Sequence, residues 1–377
     1  MQSLRSLMRY KPVTVLIHLA LAIIIVGALV THFFGVQGDI HLRADKAETV
    51  TVQPTLYAKP HSVSLFLWDF HILYDDEGNP KDFVSELRLL DRNKSYSPKD
   101  GPTARRSNSA NGPTGVAGLS VDSGIVRMNK PLKYKGFRFC QSDYDSDGYG
   151  VVLSYNYDPW GIGITYTGYA LLLIAMIGFF FQPRTRFRAF WKELTSSSPL
   201  SGKIGVGVLA AFVIVMAIIM TKVVTPKPPL QPVLQTPLLG IHVSVIMLAY
   251  TLFAIIAING IIGLCTLKSP VTNHKLQIVS QILLYPALFC LTTGIFIGAV
   301  WANMSWGRYW GWDPKETWAL ITMIVYAALL HWPIIAKANA SAKHNAAYHI
   351  ACIVAFFFVL FTYFGVSYLL GGLHSYN

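Results

Sequence analysis

Seven long apolar runs constrain this chain more than any other feature of its sequence. A helix needs about 20 mostly apolar residues to cross a bilayer. Runs of that kind lie at roughly 12–35, 159–182, 204–221, 239–266, 277–302, 317–336 and 348–370. Hydrophobic residues make up 53% of the chain and charged residues only 13%, which is too apolar for ordinary soluble domains. The sequence predicts a polytopic α-helical membrane protein of about seven transmembrane helices.

The distribution of Lys and Arg predicts the orientation of these helices. The first run resembles a signal peptide, but it is long enough to span and no small-residue cleavage site follows it. With a cytoplasmic N-terminus, the inner segments hold twelve Lys and Arg and the short outer segments hold four. This bias predicts a multi-pass membrane protein with a cytoplasmic N-terminus and a C-terminus on the outer side. The net charge of +12 belongs to the membrane part and needs no nucleic acid to explain it.

One sizeable segment, 37–158, lies outside the membrane between the first two helices. Short runs rich in β-branched and aromatic residues alternate there with turn signals such as Asp147-Gly148, so we predict a mainly-β extracytoplasmic domain. The predicted units are an N-terminus and first helix at 1–36, this domain at 37–158, a second helix at 159–182 and a membrane domain at 183–377.

The cysteines exclude one class of chemistry. None of the four forms a Cys-x-x-Cys pair, so the chain is neither a dithiol oxidoreductase nor a disulfide-stapled domain. Cys140 alone is predicted to lie outside the membrane. We interpret it as a packed thiol, with a thiol that meets a substrate as the alternative.

Four histidines form two pairs by their depth in the membrane. Counting along the helices places His18 and His331 roughly 8–9 Å below the inner surface. His242 opens the fourth run and His374 follows the seventh, so both lie at the outer face. A single membrane histidine is more often a hydrogen-bond partner between helices, and we assign the other seven to that role or to the surface.

An aromatic stretch lies at the same outer face. Residues 306–318 read WGRYWGWDPKETW, with four tryptophans and a tyrosine. Tryptophan and tyrosine collect at membrane interfaces in general, but that does not explain this density or the order Trp-Asp-Pro-Lys-Glu. Paired imidazoles bind an iron porphyrin from both faces, and flat aromatic rings stack on the macrocycle. The pattern predicts haem b with two histidine ligands at each site, with Arg308 or Lys315 near the propionates.

Residues 301–318 closely resemble the tryptophan-rich WWD signature of the haem-handling proteins of cytochrome c biogenesis, in the form found in CcsA. The flanking segments 240–244, 330–331 and 372–376 are similar to CcsA as well. In that family the residues matching His242 and His374 are external haem ligands, and the one matching His331 is a membrane ligand. The resemblance implies a haem-binding set at Trp301, Trp306, Arg308, Tyr309, Trp310, Trp312, Asp313 and Trp318.

The first half resembles ResB, also called CcsB. The similar features are the first span, the stretch 128–137, Gln141, and Asp158-Pro159 before the second span. The whole chain resembles a CcsB-CcsA fusion, a system II cytochrome c synthase, in which His18 matches the membrane ligand of the CcsB half. Seven spans are fewer than such fusions usually have.

The resemblance implies a protein of a bacterial inner membrane with a periplasmic C-terminus, and it implies a route for haem and an activity. Haem enters from the cytoplasmic side, is held between His18 and His331, and passes outward to His242 and His374, the predicted catalytic residues. There it is joined to the Cys-x-x-Cys-His motif of apocytochrome c, as a holocytochrome c synthase does. Expected partners are apocytochrome c, thiol-reducing proteins and membrane lipid. A haem exporter or chaperone that forms no bonds is the main alternative, and a quinone-linked electron-transfer subunit is a third.

Overall fold

The computed structural model describes residues 12–46, 50–52, 63–95, 119–183, 185–196, 231–335, 342–370 and 372. The predicted span at 204–221 and the predicted ligand His374 lie outside these residues.

Helices dominate the described part of the chain. They are α1 (Pro12–Phe34), α2 (Gly161–Phe181), α3 (Arg186–Ser196), α4 (Pro237–Cys265), α5 (Pro270–Ser305), α6 (Pro314–Ile335), α7 (Ala342–Leu360) and α8 (Val366–Leu369), with a 3₁₀ turn at Pro232–Leu234 and a π-helical turn, Phe361–Gly365, between the last two. By length and composition, five are able to cross a membrane: α1, α2, α4, α5 and α7 with its continuation to Leu369. This confirms a multi-pass membrane protein. Helix α6 occupies the sixth predicted run.

The ends of several helices follow from local sequence. Helices α4, α5 and α6 each begin at a proline, whose fixed φ suits the first helical position. Helix α5 has 36 residues, against 26 in the apolar run 277–302. At 1.5 Å per residue it is about 54 Å long, and a hydrocarbon core is about 30 Å thick. Its ends therefore leave the membrane, and its last turn reaches the aromatic stretch.

The segment between α1 and α2 is a β domain, as predicted. Its strands are β1 (Val36–Arg43), β2 (Val50–Val52), β3 (Val63–Tyr74), β4 (Pro80–Ser95), β5 (Leu119–Arg127), β6 (Leu132–Tyr134), β7 (Phe137–Tyr144) and β8 (Gly150–Tyr157). They form two antiparallel sheets in the orders β1-β8-β7-β6 and β2-β3-β4-β5. Alternate side chains such as Ile40 and Leu42, or Val151 and Leu153, are buried in one core shared by the two sheets.

The two ends of the β domain lie next to each other, and the helices attached to them pack closely. Strand β1 pairs with β8, so that Val36 faces Tyr157 directly after α1 and before α2. A Cβ added to Gly27 on α1 would lie 2.7 Å from the backbone nitrogen of Thr165 on α2. Small residues at such a crossing let two membrane helices approach closely. Helices α4 to α7 form the second bundle, around a core that includes the stacked rings of Phe253 and Tyr326.

Candidate functional site

Two histidines from different halves of the chain lie close together at one end of the helix bundle. His18 lies near the start of α1 and His331 near the end of α6. Their ring centroids are 6.4 Å apart, and the ring planes make an angle of 83°. The structure thus brings together the inner pair that the sequence predicted, and iron binding by the two rings stays a prediction.

Backbone carbonyls orient both rings of the inner pair. The Nδ1 atom of His18 lies 2.8 Å from the carbonyl oxygen of Thr14, and that of His331 lies 2.7 Å from the carbonyl oxygen of Ala327. A carbonyl only accepts hydrogen bonds, so Nδ1 carries the proton in each ring. The lone pair is then on Nε2, the arrangement in which a neutral histidine binds a metal.

A cavity of about 270 Å³ is lined by both histidines. Its wall is mainly apolar and includes the aromatic rings of Phe179, Phe180, Tyr285 and Phe289. Phe179 and Tyr285 are stacked with their centroids 5.1 Å apart. Small-molecule pockets measure roughly 300–1,000 Å³, so a porphyrin in this cavity would leave an edge outside it. The part of the macrocycle outside the cavity would lie against lipid, which suits its apolar edge.

The spacing of the inner pair fits two axial ligands on one metal ion. An imidazole nitrogen binds a metal at about 2.0–2.1 Å and lies roughly 1.1 Å from the ring centre, so two axial rings have centroids about 6.3 Å apart. The observed separation is 6.4 Å. Each ring can rotate about its metal bond, so the perpendicular planes do not oppose this fit.

His242 lies near the start of α4, toward the end of the bundle where α5 finishes. Its Nδ1 atom is 2.7 Å from the carbonyl oxygen of Gly294, so this nitrogen is again the donor and Nε2 carries the lone pair. The ring packs on Gly298, where an added Cβ would lie 2.6 Å from a ring carbon. The neighbouring Ala299 packs against Tyr309 and Trp310 of the aromatic stretch. His242 thus packs on α5 one residue before Ala299, and its place at an outer haem site stays a prediction.

The aromatic residues fall into a buried group and an exposed group. Trp301 and Tyr309 are 2% and 5% exposed, whereas Trp312 is 71% exposed. Trp310 and Trp312 meet edge to face, with centroids 5.9 Å apart. The other two tryptophans of the predicted set are partly buried: Trp306 contacts Trp301 and Trp318 contacts Phe361. Of these rings, only that of Trp312 is broadly exposed.

Tyr309 connects the aromatic stretch to both membrane-spanning helices of the first half. Its hydroxyl donates to Thr31 Oγ1 at 2.8 Å and accepts from Thr165 Oγ1 at 3.2 Å. Thr31 in turn donates to Asp158 Oδ2 at 2.6 Å, and the other oxygen of Asp158 accepts from the backbone N–H of Gly161 at 2.7 Å. Because these groups are buried or partly buried, the network fixes the loop against α1 and α2.

Two carboxylates fix the end of the aromatic loop. Asp313 is buried, and its Oδ1 accepts from the backbone N–H of Lys315 at 2.9 Å in the first turn of α6. Glu316 Oε2 accepts from the backbone N–H groups of Gly311 and Asp313 at 2.8 and 3.2 Å. These are capping contacts at a helix N-terminus. Of the two predicted cations, Lys315 donates to Ser367 Oγ at 2.9 Å and Arg308 packs over Gly311.

The β domain also contacts the loop. A Cβ added to Gly307 would lie 3.1 Å from the Sγ atom of Cys140, and Ser154 Oγ donates to the carbonyl oxygen of Trp306 at 3.5 Å. Gly307 has a φ of 74°, a conformation that favours glycine. Cys140 is 2% exposed, and burial raises the pKa of its thiol to about 12. These values support the packed-thiol interpretation, because the thiolate is the reactive form.

Sequence analysis missed three residues around the two sites. Thr31 and Thr165 carry no motif, and only their packing shows that they hold Tyr309. Arg186 lines the inner cavity. In the sequence it is one of several cations after the second span, which the positive-inside bias already explains.

Comparison with known families matches two parts of the chain. The profile of the Cytochrome C assembly protein family matches residues 167–374, and that of the ResB-like family matches residues 13–158. The first match covers the aromatic stretch, His242 and His331, and the second covers α1 with His18 and the β domain.

Individual relatives agree with these matches. The chain is 39% identical over 155 residues to Protein NrfI of Wolinella succinogenes, covering 39% of this chain and 17% of that protein. It is 36% identical over 176 residues to Cytochrome c biogenesis protein CcsA of Guillardia theta, covering 40% of this chain and 57% of that protein. The CcsA of Chlamydomonas reinhardtii is 38% identical over 157 residues, 40% of this chain and 43% of that protein. The matches thus span between about a sixth and somewhat over half of these relatives' lengths.

Proposed function

Because this chain belongs to the Cytochrome C assembly protein family and carries a ResB-like region ahead of it, we propose that it is a cytochrome c synthase. In this proposal it carries haem b from the cytoplasmic side of a bacterial inner membrane to the outer face. There it joins the haem covalently to the Cys-x-x-Cys-His motif of apocytochrome c. Haem is thus a transported substrate, and no nucleic acid takes part.

The inner histidine pair carries this proposal. Two imidazoles with centroids 6.4 Å apart, each with Nδ1 on a backbone carbonyl, suit bis-histidine ligation of one iron. Aromatic and aliphatic side chains line the space between them and suit an apolar macrocycle. The hydrogen bonds that the two rings make to their own helices do not require the rings to lie close together beside an apolar cavity.

At the outer face we propose that His242 and His374 bind the iron and that Trp310 and Trp312 hold the macrocycle. His242 Nδ1 lies 2.7 Å from the carbonyl oxygen of Gly294, which suits Nε2 as the iron ligand, and Trp310 and Trp312 contact each other edge to face on the loop. Arg308 and Lys315 are then the cations nearest to the propionates. The histidine of the substrate motif would replace one axial ligand while its cysteines meet the vinyl groups.

The proposed reaction adds two thiols across two vinyl groups. In each addition the sulfur bonds to the vinyl carbon next to the ring, and the thiol proton moves to the terminal carbon. No electron is lost or gained, but the thiols must be reduced beforehand, so a thiol-reducing partner is part of the proposal. The chain contributes mainly by holding both reactants in one geometry, which converts an encounter in solution into a step within a complex.

Contacts of the β domain favour a synthase over a haem exporter. Strands β7 and β8 contact the aromatic loop through Cys140 and Ser154, and Asn129 accepts a hydrogen bond from Ser305 at the end of α5. A domain held next to the outer haem site is suited to receive a polypeptide substrate. Delivery of haem alone would not require it.

Coexpression with an apocytochrome c reporter tests the proposal. The host should lack its own cytochrome c maturation system, and a reporter with serines in place of both motif cysteines serves as the control. Covalent haem on the cysteine reporter alone is the expected result. Exported haem without covalent attachment would favour the exporter, and reversible reduction by quinol without attachment would favour the electron-transfer subunit.

A further inference from the structure

The cavity between His18 and His331 has one charged group on its wall. Among its described lining residues, the polar members are the two histidines, three threonines, Tyr285 and Arg186. Arg186 is the first residue of α3 and is partly buried. A guanidinium stays charged at any physiological pH, so it is the only permanent charge in this lining.

Arg186 has no carboxylate partner among the described residues. The carboxylates and cations that form ion pairs there are elsewhere, for example Glu193 with His274 at 3.0 Å. A partly buried cation beside an apolar cavity is unfavourable unless something compensates its charge. The positive end of α3 starts at the same residue and increases the local positive potential. The charge of Arg186 on the cavity wall therefore favours the binding of an anion there.

We propose that the inner site selects a porphyrin with free carboxylates and that Arg186 pairs with one of them. This inference rests on the proposed function and names a further binding residue of the same site. Porphyrin carboxylates and vinyl groups lie on different parts of the macrocycle edge. A carboxylate held at Arg186, near the cytoplasmic end, would therefore leave the vinyl groups farther along the path toward the outer face. The pairing would set the orientation of haem before transfer.

Comparison of two ligands tests the pairing. Iron protoporphyrin IX and its dimethyl ester carry the same iron and vinyl groups but differ in charge at the propionates. Purified full-length protein in detergent should bind the free acid at least about 10-fold more tightly than the ester, because hydrogen bonds to charged groups are the stronger ones. Arg186→Gln should lose most of this preference, whereas Arg186→Lys should keep part of it.

Arg188 on the same helix provides the matched control. Its side chain is exposed, donates to the carbonyl oxygen of Phe181 at 3.3 Å and does not line the cavity. Arg188→Gln should therefore behave as the unaltered protein does. Arg186→Gln and Arg188→Gln both leave the outer site unaltered, so a difference in preference between these two variants reports the inner site. Low-spin absorption bands of both ligands confirm that the ester also binds through histidine.

The possible results separate this inference from the proposed function. An unchanged preference for the free acid in Arg186→Gln would overturn the inference, as would an equal loss in Arg188→Gln. If the unaltered protein bound neither porphyrin, the proposed function would fail and the inference with it. A lost preference in Arg186→Gln, with bis-histidine spectra retained and Arg188→Gln unaffected, is the supporting result.

Discussion

Replacing Trp312 by glycine should weaken haem binding at the outer face with little effect on stability. Trp312 is 71% exposed, so roughly 30% of its surface is covered, or about 70 Å² of at most about 250 Å². At about 25 cal/mol per Å² this contact stabilises the fold by about 2 kcal/mol. Its φ of 56° lies in the left-handed region, which costs a residue with a Cβ about 1–2 kcal/mol but suits glycine. The two effects nearly cancel, and the net change should be within about 1 kcal/mol.

The effect on haem should be much larger than the effect on folding. Stacking of a flat ring on an aromatic side chain is worth about 1–3 kcal/mol, by analogy with nucleic-acid bases. Its loss would weaken haem binding at the outer site by about 5-fold to 150-fold. Axial ligation should be unchanged, because the carbonyl oxygen of Gly294 holds the ring of His242.

Trp301 belongs to the same tryptophan-rich signature, but it is buried where Trp312 is exposed. It is 2% exposed, so Trp301→Ala should lower the free energy of unfolding by about 3–5 kcal/mol. The assay measures thermal unfolding and haem per protein for both variants, with the ligation spectrum as a further readout. Normal haem content in Trp312→Gly would refute the exposed-platform reasoning. Equal destabilisation by the two variants would refute the division into buried and exposed groups.

Three further results are expected. His331→Ala should deplete haem at both sites, because the inner site fills first, and added imidazole should restore it; normal haem and synthesis in this variant would exclude His331 as a ligand. Tyr309→Phe removes the hydroxyl that bonds to Thr31, so a loss of about 1–3 kcal/mol in unfolding free energy should accompany reduced synthesis, and an unchanged melting temperature would contradict the network. Iodoacetamide at pH 7 should label the exposed Cys265 and spare Cys140, whose labelling should rise about tenfold per pH unit up to its pKa of about 12; equal labelling at pH 7, measured by mass spectrometry, would contradict its burial.

Apolar runs predicted most of the fold because hydrocarbon thickness limits the length of a span. The helix starts at Pro12, Gly161 and Pro237 lie within two residues of the predicted ones, and the β domain lies where turn signals predicted it. Helix α5 shows the limit of predicting helices from apolar runs. Its first and last turns continue beyond the apolar run 277–302, and hydropathy does not detect helical residues outside the hydrocarbon.

The sequence could predict the depth of a site residue but not its direction. Counting along helices gave His18 and His331 similar depths, and the structure adds that their ring centroids are 6.4 Å apart. The loop between α5 and α6 has no helical period, so nothing in the sequence separates the buried Tyr309 from the exposed Trp312. Tyr309 was predicted to contact haem, and its hydroxyl contacts follow only from the packing of α1 and α2.

Helix α1 connects the inner cavity to the aromatic loop. It contributes His18 to the inner cavity and, thirteen residues later, Thr31 to the hydrogen bonds of Tyr309. At 1.5 Å per residue these positions are about 20 Å apart along one rigid element. A tilt of α1 would therefore change the spacing of the inner ligands and the anchoring of the outer loop together. Close packing of Gly27 against Thr165 opposes a tilt of α1 relative to α2. These are the two helices whose threonines hold the hydroxyl of Tyr309.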